Sequence, residues 1–192
     1  MPDAAERNAN PCADEVLVAR ARAGDVQAAG ELAERYRDAI LRFCYAYLGN
    51  LHDAEDVAQD VFIAVSAGDL LPEGVFRPWL YRVARNRCLN VLRDRRGGRI
   101  APGVGVSGSH WPSPRTGPRT ALLRDEQSEH IRCVIATMPE AHRDVLILRF
   151  FEDLSRTEMA AVLDLPESVV KSRVFEAFKK LKERLRETGS RP

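Results

Sequence analysis

The chain has 192 residues, and its 29 Lys and Arg side chains nearly balance its 28 Asp and Glu, which leaves a net charge of +1. This length suits one large or two small domains, and the net charge alone neither indicates nor excludes a nucleic-acid partner. No apolar run approaches the roughly 20 residues that span a membrane, and the polar N-terminus does not resemble a signal peptide. We therefore expect a cytoplasmic protein without membrane insertion, with a helix-rich composition.

The four cysteines are far apart, and no pair has the spacing of metal ligands. They are Cys12, Cys44, Cys88 and Cys133. We expect three of them to be small buried side chains in helices and Cys12 to lie on a loose N-terminus.

The N-terminal third predicts two helices after a disordered start. Residues 1–13 are small and polar and include two prolines, so we expect them to be disordered. Asp14 can cap a first helix that ends near Ala23. Apolar residues at three- and four-residue steps then predict a longer helix that stops at Gly49 and Asn50.

The third predicted helix is acidic on one side. It begins at Asp53 as a cap and ends near Ser66, with Val57, Val61 and Phe62 on its apolar side. Its polar face carries Asp53, Glu55, Asp56, Gln59 and Asp60. Clustered carboxylates are consistent with a metal site, a solvated surface or a docking face for a basic partner, and no His completes a metal site.

The fourth predicted helix is basic. It follows a loop over residues 67–75, opens at Pro78 and ends near Arg96. Residues 76–99 carry eight Arg and one Asp, whereas residues 50–74 carry six acidic side chains and neither Lys nor Arg. The side chains suited to phosphates and bases are Arg82, Arg85, Asn86, Asn90 and Arg93. Trp79 is either a core residue or a platform for an exposed base.

The C-terminal third predicts a helix-turn-helix. Residues 97–120 are rich in Gly, Pro and Ser and form the expected flexible linker. Helices are expected over about 122–137 and from Pro139. Ser155 and Glu158 have capping-box spacing, Pro166 separates this short helix from the next, and the last helix carries an apolar stripe that includes Val174 and Phe178. Between the apolar positions lie polar and basic side chains, which are Lys171, Ser172, Arg173, Lys179, Lys180, Lys182 and Arg184. The pattern indicates a helix that enters the major groove; an ordinary helical hairpin with a solvated basic face is the alternative.

Three stretches together resemble sigma-70 family transcription factors. Residues 53–62 resemble the polymerase-binding region of that family, residues 76–93 resemble its −10 region, and residues 138–181 resemble its −35-reading domain. Two such domains joined only by a linker are similar to the extracytoplasmic-function group. The resemblance implies an all-α fold with a region 2 domain at 14–96, a linker at 97–120 that threads the polymerase channel, and a region 4 domain at 121–187.

The resemblance also implies partners and residue roles. Asp53, Glu55, Asp56, Gln59, Asp60 and Phe62 are then the polymerase-binding residues. Trp79, Arg82, Arg85, Asn86, Asn90 and Arg93 hold the −10 element, while residues 66–75 accept a flipped −10 base. Ser168, Lys171, Ser172, Arg173, Phe175 and Lys179 contact the −35 element. The expected partners are core RNA polymerase, promoter DNA and an anti-sigma factor, with no cofactor, no metal, no small-molecule substrate and no catalytic residue.

Two departures from the family pattern and two alternative functions remain open at this point. Glu176 and Phe178 stand where such factors usually carry Arg, which weakens or alters −35 binding. Pro166 replaces the usual Ser or Thr cap of the recognition helix, with Ser168 as a partial substitute. A free-standing operator-binding regulator would explain the C-terminal half, and a metal-dependent nucleic-acid enzyme would use Asp53, Asp56 and Asp60.

Overall fold

The computed structural model describes residues 11–68, 71–96 and 126–187, and every regular element in those ranges is a helix. The first four helices form the N-terminal bundle: α1 (Pro11–Arg22), α2 (Val26–Leu48), α3 (Leu51–Ser66) and α4 (Phe76–Arg96). The last four form the C-terminal bundle: α5 (Glu126–Ala136), α6 (Glu140–Phe150), α7 (Arg156–Leu163) and α8 (Glu167–Glu187). The all-α prediction is confirmed, while the predicted linker at 97–120 and residues 1–10 lie outside the described residues.

Helix α2 is bounded by the signals that the sequence carries. The Asp25 carboxylate accepts hydrogen bonds from the backbone N–H groups of Gln27 and Ala28, which satisfies donors that have no partner in the first turn. Gly49 ends the helix in the left-handed region at φ 66°, and its N–H donates to the carbonyl of Tyr45. The predicted end at Gly49 is therefore confirmed.

The starts of α1, α3 and α4 differ from the sequence-based expectation. Helix α1 begins at Pro11, so Cys12 lies in a helix, and the Asp14 carboxylate accepts from the Tyr36 hydroxyl at 2.5 Å instead of capping. Asn50 rather than Asp53 caps α3, because its side-chain oxygen accepts the N–H of Asp53. Helix α4 begins at Phe76; Pro78 is tolerated in the first turn, where its missing N–H removes no intrahelical bond.

The C-terminal bundle contains the predicted short helix, turn and long helix. The Ser155 side chain accepts from the N–H of Glu158, whose carboxylate accepts from the N–H of Ser155, so the capping box is confirmed. Asp164 ends α7 at φ 55°, a left-handed conformation that Asp adopts more readily than most side chains. This reversal turns the chain directly into α8.

The buried side chains of the two bundles form one continuous cluster. Phe43 packs edge-on against Tyr81, with 5.1 Å between ring centroids, and both are fully buried in the N-terminal bundle. Leu146, Leu154 and Val170 are fully buried in the C-terminal bundle. Helix α4 packs against α7 and α2 packs against α6, so the bundles meet along a shared face.

The burial of the cysteines only partly follows the sequence-based expectation. Cys44 and Cys88 are buried, but Cys133 is exposed, because it lies on the outer side of α5. Burial, followed by the neighbouring Cys88, raises the pKa of the Cys44 thiol well above its ordinary value. Cys44 therefore remains a protonated core side chain.

Candidate polymerase and nucleic-acid interfaces

The acidic face of α3, defined as Asp53, Glu55, Asp56, Gln59 and Asp60, is partly neutralised from α4. Arg87 Nη1 donates to Asp60 Oδ2 at 3.0 Å, and Arg95 donates to Asp53. Asp56 is the more outward carboxylate: its side chain is 62% exposed, and the His52 Nδ1 atom lies 3.6 Å from Asp56 Oδ2. The face is therefore an exposed acidic surface, centred on Asp56 and Asp60, with arginines along one edge.

Two neighbouring hydrophobic residues of α3 differ in their exposure. Phe62, predicted as a polymerase contact, is 5% exposed and packs in the core of the N-terminal bundle. Ile63 is 48% exposed and lies one turn beyond Gln59 and Asp60, on their side of the helix. The sequence analysis did not single out Ile63, although its three- and four-residue spacing from the acidic residues places it on their side of the helix.

No group of three His, Cys, Asp or Glu side chains among the described residues has a geometry that could hold a metal ion. Asp53 and Asp60 face guanidinium groups, which are poor neighbours for a cation. Nor is any helix in the described ranges both long and apolar enough to cross a membrane.

The basic face of α4, defined as Arg82, Arg85, Asn86, Asn90 and Arg93, divides into two parts. Asn86, Asn90 and Arg93 are exposed, and Arg93 Nη1 donates to Asn90 Oδ1 at 3.1 Å. Arg82 and Arg85 instead reach the C-terminal bundle. Trp79, partly buried, packs on Phe76 with 5.7 Å between ring centroids.

Arg85 is paired with a buried carboxylate of α6. Its Nε atom donates to Asp144 Oδ2 at 2.9 Å, and the Tyr47 hydroxyl donates to Asp144 Oδ1 at 2.7 Å. Burial and then the charge of Asp144 raise the pKa of Tyr47 well above its ordinary value, so the hydroxyl remains a donor. Asp144 therefore receives hydrogen bonds on both oxygens from the N-terminal bundle.

A second polar cluster lies nearer the start of α4. The Tyr81 hydroxyl donates to Glu152 Oε2 at 2.6 Å, and Arg77 donates to the Glu152 carbonyl at 2.8 Å and to Glu158 Oε1 at 2.5 Å. Burial raises the pKa of Glu152 to about 7, although Arg42, Tyr81 and Arg77 favour its charged form. Beyond this cluster, Arg82 donates to the carbonyl of Ala161 in α7.

The recognition face of α8, defined as Ser168, Lys171, Ser172, Arg173, Phe175 and Lys179, points away from the core. Val170, Ala177 and Leu181 form the opposite, buried side of the helix. Phe175 is 72% exposed, and Ser172 Oγ donates to the carbonyl of Ser168 at 3.2 Å. The Ser168 carbonyl that accepts this hydrogen bond lies one helical turn before Ser172, on the same face of α8.

The two unusual residues of α8 have contacts on α6. The Glu176 carboxylate lies 3.8 Å from His142 Nε2, and Phe178 stacks on Phe150 with 5.6 Å between ring centroids and 19° between ring planes. Phe178 was predicted in the buried stripe but is half exposed; Ala177 is buried in its place, because its small side chain allows α8 to pack closely.

Two family descriptions match this chain. "Sigma-70 region 2" matches residues 32–97, and "Sigma-70, region 4" matches residues 134–183. An "ECF RNA polymerase sigma factor SigW" of Bacillus subtilis is 30% identical over 178 residues, covering 88% of this chain and 95% of the relative. This chain belongs to the extracytoplasmic-function sigma factors of the sigma-70 family. It is therefore a transcription initiation factor that works with RNA polymerase and recognises promoters, and a free-standing regulator is not favoured.

Further relatives agree with this membership. The "RNA polymerase sigma-H factor" of Pseudomonas aeruginosa is 34% identical over 174 residues, covering 85% of the sigma factor described here and 89% of the relative. A solved structure, "CnrH in complex with the cytosolic domain of CnrY", has a TM-score of 0.70 at 26% identity and covers 91% of this chain and 98% of CnrH. Both comparisons include residues from each bundle.

Sequence reasoning missed the residues with which the two bundles of the sigma factor contact each other. The sequence analysis singled out neither of the two tyrosines of this contact, Tyr47 and Tyr81, nor their partners Asp144 and Glu152, nor Arg77. A buried tyrosine hydroxyl needs a hydrogen-bond partner, so each tyrosine signalled a polar partner without identifying it.

Proposed function

We propose that this sigma factor uses three separate surfaces: the acidic face of α3 for core polymerase, the basic face of α4 for the −10 strand, and the recognition face of α8 for the −35 duplex. The observation that carries this proposal is the separation of charge between exposed helix faces. Asp56 and Asp60 are exposed on α3, whereas Asn86 and Arg93 are exposed on α4. Oppositely charged partners can bind at both without sharing residues.

On the acidic face we assign direct polymerase contacts to Asp56, Gln59, Asp60 and Ile63. Carboxylates steer a basic partner, and an exposed aliphatic side chain beside them adds apolar area on binding. Phe62 supports this surface by packing beneath it. Asp53 and Glu55 lie at the helix start, where Asp53 pairs with Arg95.

On the basic face, Arg93 and Arg82 suit strand phosphates, and Asn86 and Asn90 suit base edges. Trp79 supports the start of α4 by packing on Phe76, which favours its core role over base stacking. The described part of the 66–75 loop, which includes the buried Leu71, borders α4 and suits a flipped base.

On the recognition face, Lys171, Arg173 and Lys179 suit phosphates of the −35 duplex, and Phe175 suits apolar contact with a thymine methyl group. Ser168 and Ser172 lie nearer the start of α8, where short polar side chains can approach base edges. We also propose a region 2 domain at 14–96 and a region 4 domain at 121–187, joined by a linker at 97–120. This arrangement would let the basic face of α4 and the recognition face of α8 reach one promoter.

The remaining partners follow from family membership. CnrH is bound by a partner protein in its structure, and we propose that this chain likewise has an anti-sigma factor. In this proposal the polymerase supplies the chemistry, so this chain needs no catalytic residue and no cofactor of its own. We also propose that it acts in the cytoplasm, together with the polymerase.

The test is a charge reversal of the acidic face. Asp56→Lys with Asp60→Lys should abolish binding to purified core polymerase and leave the circular-dichroism spectrum unchanged. Glu31→Lys with Glu34→Lys makes the same charge change on exposed positions of α2 and should leave binding intact. Equal binding by both double variants would remove the docking assignment.

The DNA surfaces are tested separately, with the polymerase complex assembled. Asn86→Ala with Arg93→Ala should preserve core binding and reduce promoter opening, measured by fluorescence of a base analogue in the −10 strand. Lys171→Ala with Lys179→Ala should instead weaken binding of the closed promoter duplex. Normal opening by the first variant would refute the α4 assignment.

A further inference from the structure

Glu176 is an exposed carboxylate within the basic part of α8. It is the only acidic residue between Ser168 and Lys180, and its side chain is 63% exposed. It follows Ser172 by four residues and precedes Lys179 by three, so its side chain is a neighbour of both on the helix surface. A duplex that contacts Ser172 and Lys179 therefore also approaches this carboxylate.

The carboxylate of Glu176 is oriented by α6 and not by the next lysine of its own helix. Lys180 follows at the four-residue spacing of a helical ion pair. Among the described residues, however, the partner of Glu176 is His142, whose Nε2 atom lies 3.8 Å from Oε2. This distance is longer than a hydrogen bond, so both carboxylate oxygens can still accept a hydrogen bond from another group.

His142 is itself fixed in place. Its side chain is 11% exposed, and its Nδ1 atom is buried without a hydrogen-bond partner in the described part of the chain. A proton on Nδ1 would be a buried donor without an acceptor, so the neutral ring carries its proton on Nε2, which faces Glu176. His142 also lies in the first turn of α6, where the helix dipole favours a nearby carboxylate.

A carboxylate in the major groove distinguishes between bases. Phosphates repel it, so it contributes to binding only where a base offers a hydrogen-bond donor. Cytosine presents its N4 amino group there, adenine has the N7 acceptor beside its donor, and guanine and thymine present acceptors. A carboxylate at this position thus lowers affinity for most duplexes and favours cytosine at one base pair.

We propose that Glu176 is a specificity-determining residue of the −35 contact, where it accepts a hydrogen bond from the N4 amino group of a cytosine, and that His142 is its positioning residue. The inference rests on the proposed −35 role of the recognition face of α8. Lys171 and Lys179 suit phosphates, which carry no sequence information. Glu176 adds a base contact that these lysines do not supply.

The experiment uses the full-length protein assembled with core polymerase and a pool of duplexes that carry a randomised segment, from which the bound DNA is sequenced. The test variant is Glu176→Gln, which removes the charge, nearly preserves the shape and adds no phosphate contact. Glutamine pairs with N6 and N7 of adenine. The matched control is Glu183→Gln, the same change at an exposed position two turns further along α8.

We expect one position of the upstream motif to be cytosine for the original protein and for Glu183→Gln, and adenine for Glu176→Gln, with the other positions unchanged. On two duplexes that differ only at this position, the original protein should bind the cytosine duplex about tenfold more tightly than the adenine duplex. Glu176→Gln should abolish or reverse this ratio. An unchanged motif, or a change from a base other than cytosine, would overturn the role of Glu176.

The positioning role of His142 is tested on the same two duplexes. His142→Leu removes the Nε2 donor, and His142→Gln restores an amide N–H group near that place. The ratio of cytosine to adenine affinity should fall severalfold in His142→Leu and recover in His142→Gln. Equal weakening on both duplexes, with the ratio unchanged, would reduce His142 to a structural residue and overturn its positioning role.

Failure of the inference is distinguishable from failure of the proposed −35 function. Lys171→Ala with Lys179→Ala should weaken binding to every duplex that carries the upstream motif. If it does so while Glu176→Gln leaves the motif unchanged, the −35 function stands and only the role of Glu176 is refuted. If no upstream motif is enriched by any of these proteins, the −35 role of α8 is refuted and the inference fails with it.

Discussion

Arg87 of α4 donates to Asp60 of α3 across the edge of the acidic face, with 3.0 Å between Nη1 and Oδ2. Both side chains are about half exposed, so the pair contributes at most about 1 kcal/mol to stability. Its larger effect is on charge, because Arg87 neutralises a carboxylate that we assign to polymerase binding.

Arg87→Ala should therefore strengthen core polymerase binding severalfold, chiefly through faster association at low salt. The thermal midpoint should move little. Titration of labelled core with the variant measures the affinity, and Arg20→Ala, which removes an exposed arginine paired with Asp25, is the control. Weaker binding by Arg87→Ala alone would mean that Arg87 itself contacts the polymerase.

The contact between the bundles should weaken as pH rises through about 7. Glu152 has a pKa raised by burial to about 7, so its folded-state value is above its ordinary one, and the stability it contributes is lost as the carboxyl ionises. The groups that face it are Arg42 and Cys44 on α2 and Arg77 and Tyr81 on α4. The difference between pH 6 and pH 8 should be about 1 kcal/mol.

The measurement is the stability of the protein at these two pH values, compared with that of Glu152→Gln. The glutamine does not ionise, so the pH-dependent difference should disappear in the variant. An identical pH response in both proteins would show that Glu152 does not titrate in this range.

Alanine substitution at two glycines should change the stability of the protein in opposite directions. Gly68 has φ 74°, and an added Cβ would lie 3.2 Å from the Ala21 carbonyl oxygen, so Gly68→Ala should destabilise the N-terminal bundle by about 1–2 kcal/mol. Gly30 lies inside α2, and its Cβ would meet nothing within 4 Å, so Gly30→Ala should stabilise by about 0.5–1 kcal/mol. Chemical denaturation measures both, and loss of stability in both would refute the open space at Gly30.

Glu176→Arg should tighten binding to −35 duplex DNA. It removes a repulsive carboxylate that lies near His142 and adds a cation on the exposed surface of α8. One added phosphate contact should steepen the dependence of log affinity on log salt by about 0.9. Anisotropy titrations at several salt concentrations test this, with Glu31→Arg on α2 as the control; equal slopes for the two variants would mean that Glu176 does not face DNA.

The features that were predicted well from the sequence are helix caps and helix ends, which depend on neighbouring residues. The capping box of Ser155 and Glu158 and the helix end at Gly49 depend on residues within one turn of each other, so their spacing is visible in the chain. The buried sides of α2 and α3 followed from three- and four-residue periodicity. Family resemblance extended these elements to three surfaces, whose residue roles stay predictions.

What the sequence did not predict depends on distant pairing. Tyr47 and Asp144 are separated by 97 positions, and nothing in either neighbourhood specifies the other. The exchange of Phe178 for Ala177 in the buried side of α8 has a related cause: hydrophobic periodicity admits either residue, and the approach of α6 decides which one fits.

The pairing of Arg82 and Arg85 inside the molecule also affects how the chain behaves in a cell crowded with chromosomal DNA. Asp144 neutralises the charge of Arg85, and the guanidinium of Arg82 is bonded to a backbone carbonyl, so we expect the free protein to displace fewer counterions when it meets a duplex. We therefore expect weak binding of the free protein to DNA of random sequence.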